Sequence, residues 1–105
     1  MSEPNPTVAE TMIVDEQVLF TLAELCRACN ATSAQLTVLI EEGVLEPIGS
    51  APEDWRFPGP SLPRARTALR LAQDFELGGP GIALVLDLLD EIEGLRLRLR
   101  RTGLR

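Results

Sequence analysis

The stretch Thr21-Leu22-Ala23-Glu24-Leu25-Cys26-Arg27-Ala28-Cys29-Asn30-Ala31-Thr32-Ser33-Ala34-Gln35-Leu36 decides the fold. It holds two capping boxes in succession, Thr21 with Glu24 and Thr32 with Gln35. In each, the threonine hydroxyl accepts a bond from the backbone N–H three residues on, and the Glu or Gln side chain reaches back to the threonine N–H. The spacing predicts a first helix from Leu22 to Ala28 that buries Leu22, Leu25 and Cys29. Asn30 stands where the chain must turn left-handed, a conformation Asn tolerates better than most residues. A second helix is expected from Ser33 to Glu42, with Leu36, Leu39 and Ile40 inward and Gly43 ending it. Two short helices joined by a tight turn make a helix-turn-helix.

Working outward, Val44 to Ile48 and Trp55 to Phe57 read as a small hairpin around Gly49-Ser50-Ala51-Pro52-Glu53-Asp54, which would be a wing. Val18-Leu19-Phe20 reads as a short extended lead-in. Pro58, Pro60 and Pro63 predict a turn and a third helix from about Leu62 to Leu77. Ala65, Ala68, Leu69, Ala72 and Phe75 would form its buried stripe, and Arg66, Arg70 and Asp74 an exposed one. Gly78-Gly79-Pro80-Gly81 breaks the chain before a last helix, Gly81 to Arg101, roughly 30 Å long at 1.5 Å per residue. The run from Leu95 to Arg100 alternates Leu and Arg, yet both are strong helix formers without β-branching, so the helix is expected to continue through it. The fold expected is mainly α, a winged helix-turn-helix with a small β-hairpin wing and a long C-terminal helix. Residues 1–17 read as a flexible segment, 18–79 as the winged domain including the third helix, and 80–105 as a dimerisation helix.

Along that last helix Ile82, Val85, Leu89, Ile92, Leu95 and Leu99 recur at intervals of three and four, close to a coiled-coil seam. Leu84, Leu86 and Leu88 widen the apolar surface, and a chain this small offers little against which to bury it. Asp87, Asp90, Glu91 and Glu93 fill the middle, and Arg96, Arg98, Arg100 and Arg101 the end. That segregation suits the helix dipole. It also suits two antiparallel copies, which bring acids of one near arginines of the other.

Charge along the chain contradicts the shape of the head. From Ala28 to Trp55 there is no Lys, Arg or His, while Glu41, Glu42, Glu46, Glu53 and Asp54 stand unopposed. Residues 1–55 carry ten acids against one Arg, and residues 56–105 six acids against nine Arg. Nucleic-acid affinity rests largely on cations displacing counterions from phosphates, so an acidic head points to a basic partner of another kind. The outward positions of the second helix are Ala34, Thr37, Val38 and Glu41. None can neutralise a phosphate or pair with a guanine edge. With Glu42, Glu46, Glu53 and Asp54 they form the candidate partner-binding surface, to which the segment through Phe20 could add.

At 105 residues the chain suits one small domain. Cys26 and Cys29 form a C-x-x-C, but a zinc site would need a second pair or a His, and the chain has no His. A redox reading lacks the strand and βαβ setting, so the two cysteines are expected to pack on one helix face. Met1 to Gln17 lacks a basic start and a long apolar run, which argues against a secretory signal. No apolar stretch nears the roughly 18 residues of a membrane span. A cytoplasmic location is the default. Without His, Lys or Tyr, and without a Gly-rich loop of phosphate-binding spacing, an enzyme is not expected. Nor is a metal or cofactor.

Phe20-Thr21-Leu22-Ala23-Glu24-Leu25-Cys26, Thr32-Ser33-Ala34-Gln35-Leu36 and Gly43-Val44-Leu45-Glu46-Pro47 resemble the winged helix-turn-helix of MerR-type regulators, with Trp55-Arg56-Phe57 in the place of the second wing strand. Within that superfamily the chain is most similar to the chaperone modulator CbpM family. Pro80-Gly81-Ile82-Ala83, continued by Leu86, Leu88-Leu89-Asp90, Ile92 and Leu95, is the most specific stretch, and the match spans about Val18 to Leu99. The resemblance implies a non-enzymatic protein that binds the J-domain of a CbpA/DnaJ-type co-chaperone. It would inhibit both that partner's stimulation of the DnaK chaperone and its DNA binding. Two alternatives remain. One is a MerR-like DNA-binding transcriptional regulator gripping backbone with Arg64, Arg66 and Arg70. The other is an adaptor of the same fold serving another protein.

Overall fold

The computed structural model describes residues 18–103, so the segment 1–17 expected to be flexible lies outside the described residues. Both capping boxes are made. Thr21 Oγ1 accepts from the Glu24 N–H at 3.1 Å while the Glu24 carboxylate accepts from the Thr21 N–H at 2.8 Å. Thr32 and Gln35 repeat the pair at 3.1 and 2.9 Å. The helices they start are α1, Leu22–Cys29, and α2, Ser33–Glu41. Both end through a left-handed residue, Asn30 at φ 55° and Gly43 at φ 78°. The chain beyond each turns back, so that Ala31 N–H donates to the Cys26 carbonyl at 2.9 Å and Val44 N–H to that of Leu39 at 2.8 Å. Carbonyls that a helix end leaves open are thereby satisfied.

That second turn corrects the strand expected over Val44 to Ile48. Val44 and Leu45 are buried in the core, and Leu45 N–H also donates to the Leu39 carbonyl, at 3.2 Å. Only Ile48 pairs across the wing, exchanging bonds of 2.8 and 2.9 Å with Arg56. The two-stranded sheet instead joins the lead-in to the wing's return. β1, Leu19–Phe20, runs antiparallel to β2, Phe57–Pro58, with Leu19 opposite Pro58 and Phe20 opposite Phe57. Phe57 is fully buried and meets Trp55 edge-on, ring centroids 6.4 Å apart. Such a pair adds about 1 kcal/mol beyond the area it buries.

Helix α3 spans Ser61–Phe75, with Pro63 in its first turn, where a missing N–H costs little. Ala65 and Ala68 are buried, and Leu69 and Ala72 are packed against them. Phe75, expected in this stripe, is 68% exposed. The chain leaves the helix at Glu76, in the left-handed region at φ 54°, and it is Leu77 that returns to the core. Helix α4, Gly79–Arg101, then starts with Pro80 in its first turn. Ile82 and Leu86 complete one core with Leu25, Leu36, Leu39, Val44, Leu45, Phe57, Ala65 and Ala68. The architecture of the described residues is thus mainly helical, four α-helices with a minimal wing and a long last helix. No helix of the described residues is long and apolar enough to cross a membrane.

Candidate partner-binding surface

The outward side of α2 presents Ala34, Val38, Glu41 and, at its C-cap, Glu42, all exposed. Thr37 is half-buried, and its hydroxyl donates to the Ser33 carbonyl at 2.7 Å, which leaves it less to offer a partner. Glu46 is exposed just after the turn. Glu53 and Asp54 are exposed in a short 3-10 turn, Pro52–Asp54, at the wing tip. The tip depends on Gly49 at φ 123°, where a Cβ would sit 2.9 Å from the Asp54 carbonyl oxygen. Any side chain there would push the tip and its two acids away.

Glu42 has an internal post as well. Its side chain lies over Gly79, so close that a Cβ on Gly79 would come within 2.6 Å of Glu42 Cγ. The acid therefore sits against the start of α4, where unpaired backbone amides favour negative charge. Glu46 is brought together with Asp87 and Asp90. These three line a groove of about 480 Å³ whose other walls include Pro60, Ser61 and Arg64. The sequence reading gave Asp87 and Asp90 no part in this surface, because it set them against a second copy. Their spacing of three, facing away from the apolar stripe, was the signal that separates them from that stripe.

Three cations beside the head, Arg64, Arg66 and Arg56, are held by their own chain. Arg64 Nε donates to the Val44 carbonyl at 2.7 Å and Nη1 to Asp90 Oδ1 at 3.1 Å, tying the turn after α2 to α4. Arg66 Nη2 donates to the Ala28 carbonyl at the end of α1, 3.3 Å away. In the wing, Arg56 Nη1 donates to its neighbour Trp55's carbonyl at 2.8 Å. Cys26 and Cys29 form no disulfide and are half-buried against the core. Burial pushes the Cys29 thiol up, only partly opposed by the charge of Arg66, so it is a poor thiolate. No group of three or more His, Cys, Asp or Glu able to hold a metal occurs among the described residues.

Of the residues expected to form a dimer seam on α4, Ile82 is 3% exposed and belongs to the chain's own core, with Val85 half-buried beside it. Leu89, Ile92, Leu95 and Leu99 are exposed, and so are Leu84 and Leu88. Leu86, read as widening the surface, faces inward. Late in the helix Arg100 pairs with Glu93 at 3.7 Å.

Residues 20–103 match the family described as MerR HTH family regulatory protein. A chaperone modulatory protein CbpM of Coxiella burnetii (strain Dugway 5J108-111) is 36% identical over 93 residues, covering 89% of this chain and 88% of the relative. A protein of the same description from Pseudomonas putida (strain W619) is 39% identical over 72 residues, 69% of this chain and 71% of the relative. On this similarity the chain belongs to the CbpM family of chaperone modulatory proteins, and its head is a MerR-type helix-turn-helix.

Proposed function

We propose that this chain is a non-enzymatic modulator that binds the J-domain of a CbpA/DnaJ-type co-chaperone and inhibits the co-chaperone and DNA-binding activities of that partner. The observation that carries the reading is the exposed face of α2, which holds Ala34, Val38, Glu41 and Glu42 and no cation. A basic helix of a J-domain protein is the complement of such a face, since opposite fields speed encounter and select partners. The names of the relatives support the same direction. A DNA-binding regulator is the other reading, favoured by Arg70, exposed on α3. Against it, Arg64 and Arg66 already hold protein carbonyls, and the few cations left would give little affinity at physiological salt.

In this reading residues 18–79 form the docking head and 80–105 an antiparallel dimerisation helix, with Leu89, Ile92, Leu95 and Leu99 as the seam. The first turns of α4 are fixed in the head's core, so the helix leaves the head at a set angle. The deciding experiment is a calorimetric titration against the cognate J-domain. Saturable binding that weakens as salt rises is expected. Absence of binding, together with a specific duplex shift in a low-salt gel, would replace this reading with the DNA-binding one.

A further inference from the structure

The groove between the turn after α2 and the first half of α4 has chemistry of its own. Of its three acids, Asp90 is paired with Arg64, whose guanidinium is also held by the Val44 carbonyl. Glu46 and Asp87 have no hydrogen bond or ion pair among the described residues. Ser61, which also lines the groove, is only 9% exposed, and its hydroxyl has no hydrogen-bond partner among the described residues. That hydroxyl keeps its small remaining opening, since among the described residues no side-chain oxygen or nitrogen is both sealed from solvent and unpartnered. An enclosed hydroxyl of this kind gains from a donor that enters.

The direction of the groove says what can enter. At 100° per residue, Asp87 and Asp90 point roughly 135° and 165° away from the centre of the proposed seam of Leu89, Ile92, Leu95 and Leu99. A second copy seated on that seam lies on the opposite side of α4 and leaves the groove open. The occupant is therefore a different protein, and two uncompensated carboxylates beside a hydroxyl acceptor select a cation.

We propose that this groove receives a lysine or arginine side chain from a basic helix of the protein partner, with Glu46 and Asp87 pairing with the cation and Ser61 accepting a hydrogen bond from it. The identity of that partner rests on the J-domain reading; the cation site rests on the groove. The test uses the full chain, labelled with ¹⁵N and titrated separately with the cognate J-domain and with a Lys/Arg-rich helical peptide. The variant E46Q/D87N is compared with D74N/E76Q, which removes as much charge away from the groove. Shift changes around Glu46, Ser61 and Asp87 are expected, with J-domain affinity about tenfold weaker in E46Q/D87N. D74N/E76Q is expected to bind within twofold of wild type, and the thermal melts of both variants to match it. Unchanged J-domain binding by E46Q/D87N overturns the groove and leaves the functional reading standing. If the wild-type chain ignores the J-domain, the functional reading falls and the peptide decides the groove. Peptide shifts at these residues that vanish in E46Q/D87N uphold it, and shifts elsewhere, or none, overturn it.

Discussion

The two halves of α4 share one apolar periodicity and meet opposite fates. Ile82 and Leu86 are 3% and 2% exposed, sealed by α2 and α3, whereas Leu95, further along the same helix, is 48% exposed. Periodicity therefore reports which side of a helix is apolar and is silent on what covers it. The sharpest way to break the comparison is truncation in the covered half. Leu86→Ala should cost about 2–5 kcal/mol, from lost transfer energy and the cavity left behind. Leu95→Ala should leave the stability of the monomer nearly unchanged. Urea unfolding of both variants at low protein concentration checks this, and a Leu86→Ala loss below about 1 kcal/mol would show that the first half is not anchored as described.

The uncovered half should answer to concentration instead. Ile92→Glu with Leu95→Glu puts two carboxylates into the seam proposed for a second copy, where an unpaired buried charge costs several kcal/mol. Sedimentation at micromolar concentration should give a dimer mass for wild type and a monomer mass for the variant, with helical circular dichroism retained. A monomer mass for wild type itself would leave the seam of Leu89, Ile92, Leu95 and Leu99 without its proposed cover.

How far these features could be read from sequence follows from the range of the forces involved. Both capping boxes, the left-handed Asn30 and Gly43, and the helix-turn-helix they enclose are local, written within a few residues. The left-handed exit from α2 throws Val44 and Leu45 inward, and no local pattern separates such a buried turn from a strand of the same residues. For the surface, the outward face of α2 was legible because helix phase fixes it. The joining of Glu46 to Asp87 and Asp90 was not, because it needs α4 to fold back beside the turn. Nor does sequence show that Arg64 and Arg66 turn their cations to carbonyls of their own chain.

The paired caps offer a finer comparison, since α1 closes its box with Glu24 and α2 with Gln35. The Thr21 N–H bond, opposed by desolvation and helped by the Thr21 hydroxyl, holds the Glu24 carboxyl below its usual range. A depressed folded value means that Glu24 contributes fully above the ordinary carboxylate pKa, and that its contribution is lost as pH falls through the lowered value. Gln35 cannot titrate. Acid should therefore fray α1 before α2, visible as earlier loss of amide protection at Glu24 and Leu25 than at Gln35 and Leu36. Glu24→Gln should abolish the difference. Thr21→Ala, which removes the hydroxyl acceptor, should cost about 1 kcal/mol at neutral pH.

The smallest effect concerns how helices stop. α1 and α2 leave through Asn30 and Gly43, residues that tolerate the left-handed region, whereas α3 leaves through Glu76 at φ 54°, which carries a Cβ into it. Nothing in the residue type announces that exit; packing imposes it, because Leu77 must turn back to the core before α4 begins. Glu76 thus holds a conformation that costs a non-glycine residue roughly 1 kcal/mol. Glu76→Gly removes that strain but gives the unfolded chain more freedom to lose, so the net gain should be at most about 0.5 kcal/mol. A thermal melt raised by a degree or two would place the cost of this exit in the backbone. A lowered melt would mean that the Glu76 side chain itself stabilises the turn, and that all three helix ends are specified by side chains after all.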